Sequence, residues 1–379
     1  MPRKGENIYK RRDGRWEGRY IKNRSPDGKA KYGYVYAKSY REIRQKLISQ
    51  KALCNNSEKD NELPAQPLCH QLAAEWLTIM KPQIKESSYI KYRNLIQSYI
   101  TPRYGDRNIS DITADELQRF ATELLSCGGA KGAGLSAKTV TDTISVMRSL
   151  MKHALRKGIH LQCTGKEIIV KQAPPKLKVL SPSEQTKLTE YICSNLSERN
   201  LGIMICLFAG LRIGEICALK WEDISFSNKT LFVHQTMQRI QNEGKEKPKT
   251  KVIISPPKSI CSVRTIPLTD ELLTIMKNPS VFHEHGYILT GCDDKFTEPR
   301  TMENHFKKVL TESDIAAANF HTLRHTFATR CIEVGFDVKS LSEILGHASV
   351  TITMNRYVHP SMSLKRENMN KLSGLFAVK

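Results

Sequence analysis

His321-Thr322-Leu323-Arg324-His325-Thr326-Phe327 reads as a helix that sends His321, Arg324 and His325 out from one side, because side chains three and four apart share a face. Downstream, Leu345-Gly346-His347 carries a glycine stop for a second helix, one expected to be capped by Ser340 with Glu343. Ten residues beyond His347 comes Tyr357, within Asn355-Arg356-Tyr357-Val358-His359. Each piece has a plain reading by itself. His321 and His325 stand at a zinc-binding helical spacing, but the H-E-x-x-H pattern needs a glutamate where Thr322 stands. A histidine after a helix-ending glycine is commonly a cation at the negative end of the helix dipole.

Two places upstream carry further charged groups. Ala209-Gly210-Leu211-Arg212-Ile213-Gly214-Glu215 sets Arg212 and Glu215 at i, i+3, the spacing of an ordinary helix salt bridge. Pro257-Lys258-Ser259 is followed by Ser262-Val263-Arg264-Thr265-Ile266-Pro267-Leu268, a basic turn running into a strand. Around them the periodicity predicts helices near 183–195 and 198–210 and a third after Arg212. Strands are expected within 230–239, 251–254 and 265–268, then helices from Asp270 nearly to the end. Ser181-Pro182-Ser183-Glu184 opens the first of these helices with an N-cap serine, a proline in the first turn and a capping-box glutamate. Pro174-Pro175-Lys176 marks a break before it, so residues 173–379 form one mixed α/β domain.

Toward the N-terminus the character changes twice. Over 67–172, apolar residues recur at threes and fours in segments near 69–80, 87–100, 113–126 and 136–157, which predicts a helical domain. Thr113 with Glu116 caps one of them. The loop from Cys127 to Gly134 is glycine-rich, but Leu135 stands where a phosphate-binding loop needs lysine, so it is a helix connection. Periodicity lapses over 52–66, and 56–66 reads as a linker. Residues 1–55 form a basic domain that alternates in twos between Asn7 and Ala37, with Trp16 and Tyr20 on one strand face and Tyr32, Tyr34 and Tyr36 on another. Asp13-Gly14 and Asp27-Gly28 supply the turns, and Ser39 with Glu42 starts a helix. A three-stranded sheet plus one helix is expected, its aromatics in the core and its Arg and Lys on the opposite face, toward DNA. The fold class is mainly α with small antiparallel β-sheets, in three domains.

The charge balance names a class of partner. The 379 residues hold 59 Lys+Arg against 38 Asp+Glu, a formal +21, and the first 51 residues alone hold 16 basic against 5 acidic groups. Such an excess attracts a polyanion such as nucleic acid. Ten cysteines without a C-x-x-C pair read as reduced thiols in a cytosolic protein. Met1-Pro2-Arg3-Lys4 opens no apolar signal segment and no stretch is long enough to span a membrane, so a cytoplasmic protein without a membrane partner is expected.

Taken together and in order, Arg212, Lys258, His321 with Arg324, His347 and Tyr357 resemble the signature of the tyrosine recombinases, also called the phage integrase family: Arg, Lys, His-x-x-Arg, His, Tyr. The resemblance is dense over 173–379 and looser before it. There, 1–55 looks like an arm-type DNA-binding domain and 67–172 like a core-binding domain. It implies a bacterial, DNA-associated site-specific recombinase with a catalytic domain of the tyrosine recombinase type. Such an integrase cleaves and rejoins DNA through a 3′-phosphotyrosyl intermediate, here on Tyr357, to integrate and excise a mobile genetic element. Implied partners are double-stranded DNA at core and arm sites and further copies of the chain in a tetrameric synapse. An excision factor and a host DNA-bending protein are additional candidates.

These residue types suit that chemistry. A phenol with an ordinary pKa of about 10 must be activated by its site. Arg212 and Arg324 can each fork two N–H donors onto non-bridging phosphate oxygens. His321 and His347 can donate to the same oxygens or accept the tyrosine proton, and the resemblance assigns that proton to His321. By the same resemblance Lys258 is the general acid for the departing 5′-hydroxyl, with Lys247, Lys249 and Lys251 as alternatives in the same hairpin region. Glu215 reads as a brace for the site, not a reacting group. The covalent intermediate conserves the bond energy, so neither a cofactor nor a metal is expected. Two other readings are a non-catalytic, sequence-specific DNA-binding regulator and a type IB topoisomerase-like activity. Loss of Tyr357 or of an arginine would favour the first, and the extra basic front domain argues against the second.

Overall fold

The computed structural model describes residues 7–24, 30–59, 67–129, 132–171, 177–242, 248–257 and 259–358, together with 365–366 and 369–370. The turn expected at Asp27-Gly28, the break at Pro174-Pro175-Lys176, and both Lys247 and Lys258 lie outside the described residues. The chain divides into two compact units, Met1–Gln172 and Ala173–Lys379.

The first unit opens with an antiparallel sheet of β1 (Ile8–Lys10), β2 (Trp16–Arg24) and β3 (Ala30–Ala37), followed by α1 (Tyr40–Lys59). The register pairs Trp16 with Ala37 and Gly18 with Val35, and Ile43 and Leu47 of α1 close over that face. Because one helix covers only one face, Tyr32, Tyr34 and Tyr36 stand exposed on the other. The expectation of core aromatics therefore holds in part for Trp16, half-buried against the core and meeting Tyr40 edge-on at 5.3 Å, and fails for these three tyrosines. Arginines gather over them instead, Arg19 at 4.2 Å from the Tyr32 ring and Arg11 at 5.6 Å from Tyr36. Ser39 Oγ accepts the Glu42 N–H, as expected. α1 runs on to Lys59, so residues 56–59 of the expected linker are helical. Strong helix formers at Gln50-Lys51-Ala52-Leu53 carry it past the point where the apolar pattern lapses.

The helical part of this unit comprises α2 (Cys69–Met80), α3 (Glu86–Leu95), α4 (Thr101–Tyr104), α5 (Ala114–Cys127) and α6 (Ala137–Arg156). A π-turn over Ile96–Ile100 joins α3 to α4 just before Pro102, whose nitrogen has no hydrogen to give the ladder. Leu72, Ile100, Tyr104, Leu117, Ile144 and Leu150 are buried together. The capping box at Thr113 and Glu116 forms as read.

The second unit begins with α7 (Pro182–Ser194), α8 (Glu198–Ala209) and α9 (Ile213–Ala218). Strands β4 (Ile224–Ser225), β5 (Thr230–Val233), β6 (Thr236–Gln241), β7 (Thr250–Ser255) and β8 (Arg264–Pro267) follow. They build one sheet in the order β4-β5-β8 and a separate β6-β7 hairpin, so the text expected as one strand over 230–239 serves two sheets. Helices α10 (Asp270–Met276), α11 (Pro299–Glu312), α12 (His321–Glu333), α13 (Val338–Leu345) and α14 (Val350–Tyr357) complete it. α8 is apolar nearly all round and lies in the core with Met302 and Phe306 of α11 and Leu323 of α12. α13 starts a turn earlier than the Ser340 cap predicts. Asp337 is the N-cap and accepts the Ser340 N–H at 2.8 Å, where a full negative charge meets the positive end of the helix. Among the described residues no helix is long and apolar enough to cross a membrane.

Candidate active site

Two left-handed glycines set the frame. Gly210 ends α8 at φ 66° and Gly346 ends α13 at φ 64°, a conformation that side chains with a Cβ rarely adopt. Each turns the chain so that the next polar group, Arg212 or His347, enters the same region. Arg324 of α12 ties both turns together, donating from Nη1 to Gly210 O at 2.8 Å and from Nη2 to Leu345 O at 2.6 Å. One guanidinium, 1% exposed, thus satisfies carbonyls at two helix ends. Burial, and next the charge of Arg212, lower its pKa to about 9, so it stays cationic at neutral pH.

Arg212 caps α9. Its Nη1 donates to Glu215 Oε1 at 2.7 Å, its backbone N–H to Oε2 at 2.9 Å, and its Nη2 to Gly346 O at 3.4 Å. A second arginine clasps the same carboxylate: Arg264 donates from Nη1 to Oε1 at 3.1 Å and from Nη2 to Oε2 at 2.9 Å. Arg264 also donates to the carbonyls of Ser262 and Ile344, which links β8 to the end of α13. Burial by itself would raise the Glu215 carboxyl, but Arg264 and then Arg212 outweigh it and hold the group at about 2. Sequence reasoning passed over Arg264 as part of a basic turn. Strand alternation could have found it, since Arg264 shares a face with Ile266 and Leu268, both buried, and an inward arginine demands a buried carboxylate.

Tyr357 is the last residue of α14 and is 6% exposed. Its hydroxyl lies 2.8 Å from His325 Nδ1. His321, one turn back along α12, meets the His325 ring edge-on with centroids 4.5 Å apart. The His347 ring lies parallel to that of Tyr357, 6.5 Å away at an interplanar angle of 3°, and its Nδ1 is 2.8 Å from Thr353 Oγ1. Of the residues singled out from sequence, Arg212, His321, Arg324, His347 and Tyr357 thus gather in one place, with Glu215 beneath Arg212. Lys258 lies outside the described residues. The resemblance gives the tyrosine proton to His321, yet the hydroxyl bonds His325. The reason is geometric: His325 sits one turn further in, where α12 packs on α14.

All three histidines are held in the neutral form near pH 7. Burial, then Arg324 and Arg356, lower His321 to about 4; burial, then His321 and Arg356, lower His325 to about 4. Burial, then Arg324 and Arg212, lower His347 to about 3. Burial raises the Tyr357 phenol above its ordinary value, opposed by Arg324 and Arg356. In the unfolded chain each histidine returns to about 6.5, so between the folded values and 6.5 the unfolded state binds more protons. Stability therefore rises with pH across that window and is fully present above it, with Asp223, pushed up by burial, opposing in part. The urea midpoint is expected to be lower at about pH 5 than at about pH 7.5. An equal or higher midpoint at the acid end would contradict this account.

Comparison with known proteins bears on the same residues. The model of the Phage integrase family matches residues 178–363, which contain this whole cluster, and that of the phage integrase N-terminal SAM-like domain matches 70–125. This chain belongs to the phage integrase family. As a tyrosine recombinase it is 28% identical over 330 residues to a tyrosine recombinase XerC-like protein of Caldanaerobacter subterraneus subsp. tengcongensis, across 79% of this chain and 81% of that one. It is 23% identical to the ICEBs1 integrase of Bacillus subtilis, across 77% and 78% of the two chains. Its fold is similar to that of the Tn1549 transposon integrase in complex with a circular intermediate DNA, at 21% identity and a TM-score of 0.64 over 80% of this chain and 99% of that chain. It is also similar to a lambda integrase tetramer bound to a Holliday junction, at 18% identity and a TM-score of 0.55 over 96% and 98%. The mainly helical recombinase with small antiparallel sheets that the sequence predicts is the fold observed.

Proposed function

We propose that this recombinase integrates and excises a mobile genetic element, and that Tyr357 is the group that becomes bonded to the 3′-phosphate of the cut strand. The observation that carries this reading is the setting of the Tyr357 hydroxyl, with a neutral histidine on it and Arg324, Arg212 and His347 beside it. Arg212 and Arg324 hold the scissile phosphate and stabilise charge as it develops in the phosphorane; both keep N–H donors beyond those used within the protein. His347 donates to a non-bridging oxygen, and Lys258 supplies the proton to the 5′-oxygen. Glu215 fixes the Arg212 guanidinium and does not react.

The partners follow from this reading. Residues 67–172 and residues 173–379 each bind core-site DNA, and four protomers form the synapse, in line with the lambda integrase tetramer bound to a Holliday junction. The basic front domain, 1–55 with α1 extending it, takes a second, arm-type sequence with the exposed arginine and tyrosine face of its sheet. An excision factor and a host DNA-bending protein set the direction of the reaction, which takes place in a bacterial cytoplasm.

Two duplexes carrying the attachment site, incubated with the protein in EDTA and without ATP, are expected to exchange their flanks. Binding without exchange is the behaviour of a regulator and would overturn the proposal. Replacing Arg11, Arg15 and Arg19 together by alanine is expected to weaken arm-site binding while core cleavage persists. The dependence of that binding on salt should flatten by about one unit of slope for each phosphate no longer neutralised. Equal weakening at both sites would count against two separate addresses.

A further inference from the structure

We propose that His325 is the base that takes the Tyr357 proton during strand cleavage, with His321 left to serve the phosphate. The inference rests on the reading of Tyr357 as nucleophile and goes beyond it by naming where its proton goes. His325 is in hydrogen-bond contact with the reacting oxygen, at 2.8 Å through Nδ1, and Arg356 bonds the same hydroxyl but is a cation that cannot take its proton. It is buried, as is Tyr357, so their contact is shielded from bulk water. His321, at the first turn of α12, is the more exposed of the two histidines and meets the His325 ring edge-on.

The charged and titratable groups around His325 are His321 and Arg324 on its own helix and Arg356 and Tyr357 on α14. The charges of Arg356 and Arg324, added to burial, keep the imidazole neutral, and in the tautomer protonated at Nε2 its Nδ1 has a lone pair for the phenolic hydrogen. The base is weak while it waits. It strengthens as the dianionic phosphorane forms nearby, because developing negative charge favours the imidazolium.

The cleavage step then balances. Tyr357 Oη bonds to phosphorus, the P–O5′ bond breaks, the phenolic proton passes to His325 Nδ1, and the 5′-oxygen takes a proton from the acid. In the rejoining step the 5′-hydroxyl attacks phosphorus, the P–Oη bond breaks, and the imidazolium returns its proton to the phenolate while the acid is reprotonated by the 5′-hydroxyl.

The test is single-turnover cleavage of a nicked core-site duplex across a range of pH, with DNA binding measured alongside. His325→Ala is expected to bind the duplex normally and to cleave it about 10²-fold or more slowly, within the range of general-base contributions. Its rate should climb with hydroxide concentration where the unaltered chain is flat, and added imidazole should restore part of it. His325→Asn, which keeps an acceptor and the approximate shape but cannot take a proton, guards against misfolding of the alanine variant and is expected to show the same steep pH profile. His321→Ala should slow cleavage without steepening that profile. The proposal is overturned if His325→Asn cleaves at the unaltered rate, or if the steep profile and imidazole rescue belong to His321→Ala instead. Tyr357→Phe, run on the same duplex, separates the two readings: a covalent adduct from that variant removes the nucleophile assignment itself, and this proposal with it.

Discussion

Glu215→Ala is expected to destabilise the protein by about 3–5 kcal/mol, the usual effect of removing one partner from a buried ion pair. The carboxylate is 2% exposed at its side chain, and each of its two oxygens accepts from both Arg264 and Arg212. Without it, the Arg264 guanidinium, 5% exposed at its side chain, keeps only the carbonyls of Ser262 and Ile344 and loses its counter-charge in a site that water does not reach. Arg212 loses both the side-chain bond and the cap on its own backbone N–H, so cleavage should fall along with stability. Glu215→Gln retains acceptor and shape but not charge and should fall between the two. Urea unfolding of the three proteins checks this. An alanine variant within about 0.5 kcal/mol of the parent, the range of an ordinary surface change, would show that the pair is not structural.

The parts of this fold that could be read in the sequence are those with local causes. Capping boxes at Thr113 with Glu116 and Ser181 with Glu184, the glycine stops, and helical periodicity all act within a few residues, and they placed α2 and α5 to α8 to within a residue or two. Six site residues could be nominated because their order along the chain matches a known signature, although no local rule distinguishes Arg212 or His347 from a helix salt bridge or a helix-end cation. What sequence reading missed depends on partners remote in the chain. Arg264 looks like a solvated basic residue until strand alternation turns it toward Glu215, 49 positions away. His325 was visible only as the second half of a zinc-like spacing, since its partner Tyr357 is 32 residues further on. The three exposed tyrosines could not be told from core aromatics, because alternation says that two faces differ but not which one a helix will cover. Asp337 was overlooked as a cap because Ser340 and Glu343 offered a matching pattern three residues later.

Tyr357→Phe carries the largest expected effect of all. Removing the hydroxyl takes away the nucleophile while leaving a ring of the same shape against His347, and the missing bond to His325 should lower stability by only about 1–2 kcal/mol. The variant is therefore expected to bind core-site DNA like the parent and to cut none of it. The most direct measurement traps the covalent product on a nicked core-site duplex, digests it, and locates the attached nucleotide by peptide mass. One modified peptide, with the nucleotide on Tyr357, is expected from the unaltered chain, and no adduct from Tyr357→Phe. A nucleotide on any other residue, or an adduct from the phenylalanine variant, would contradict it.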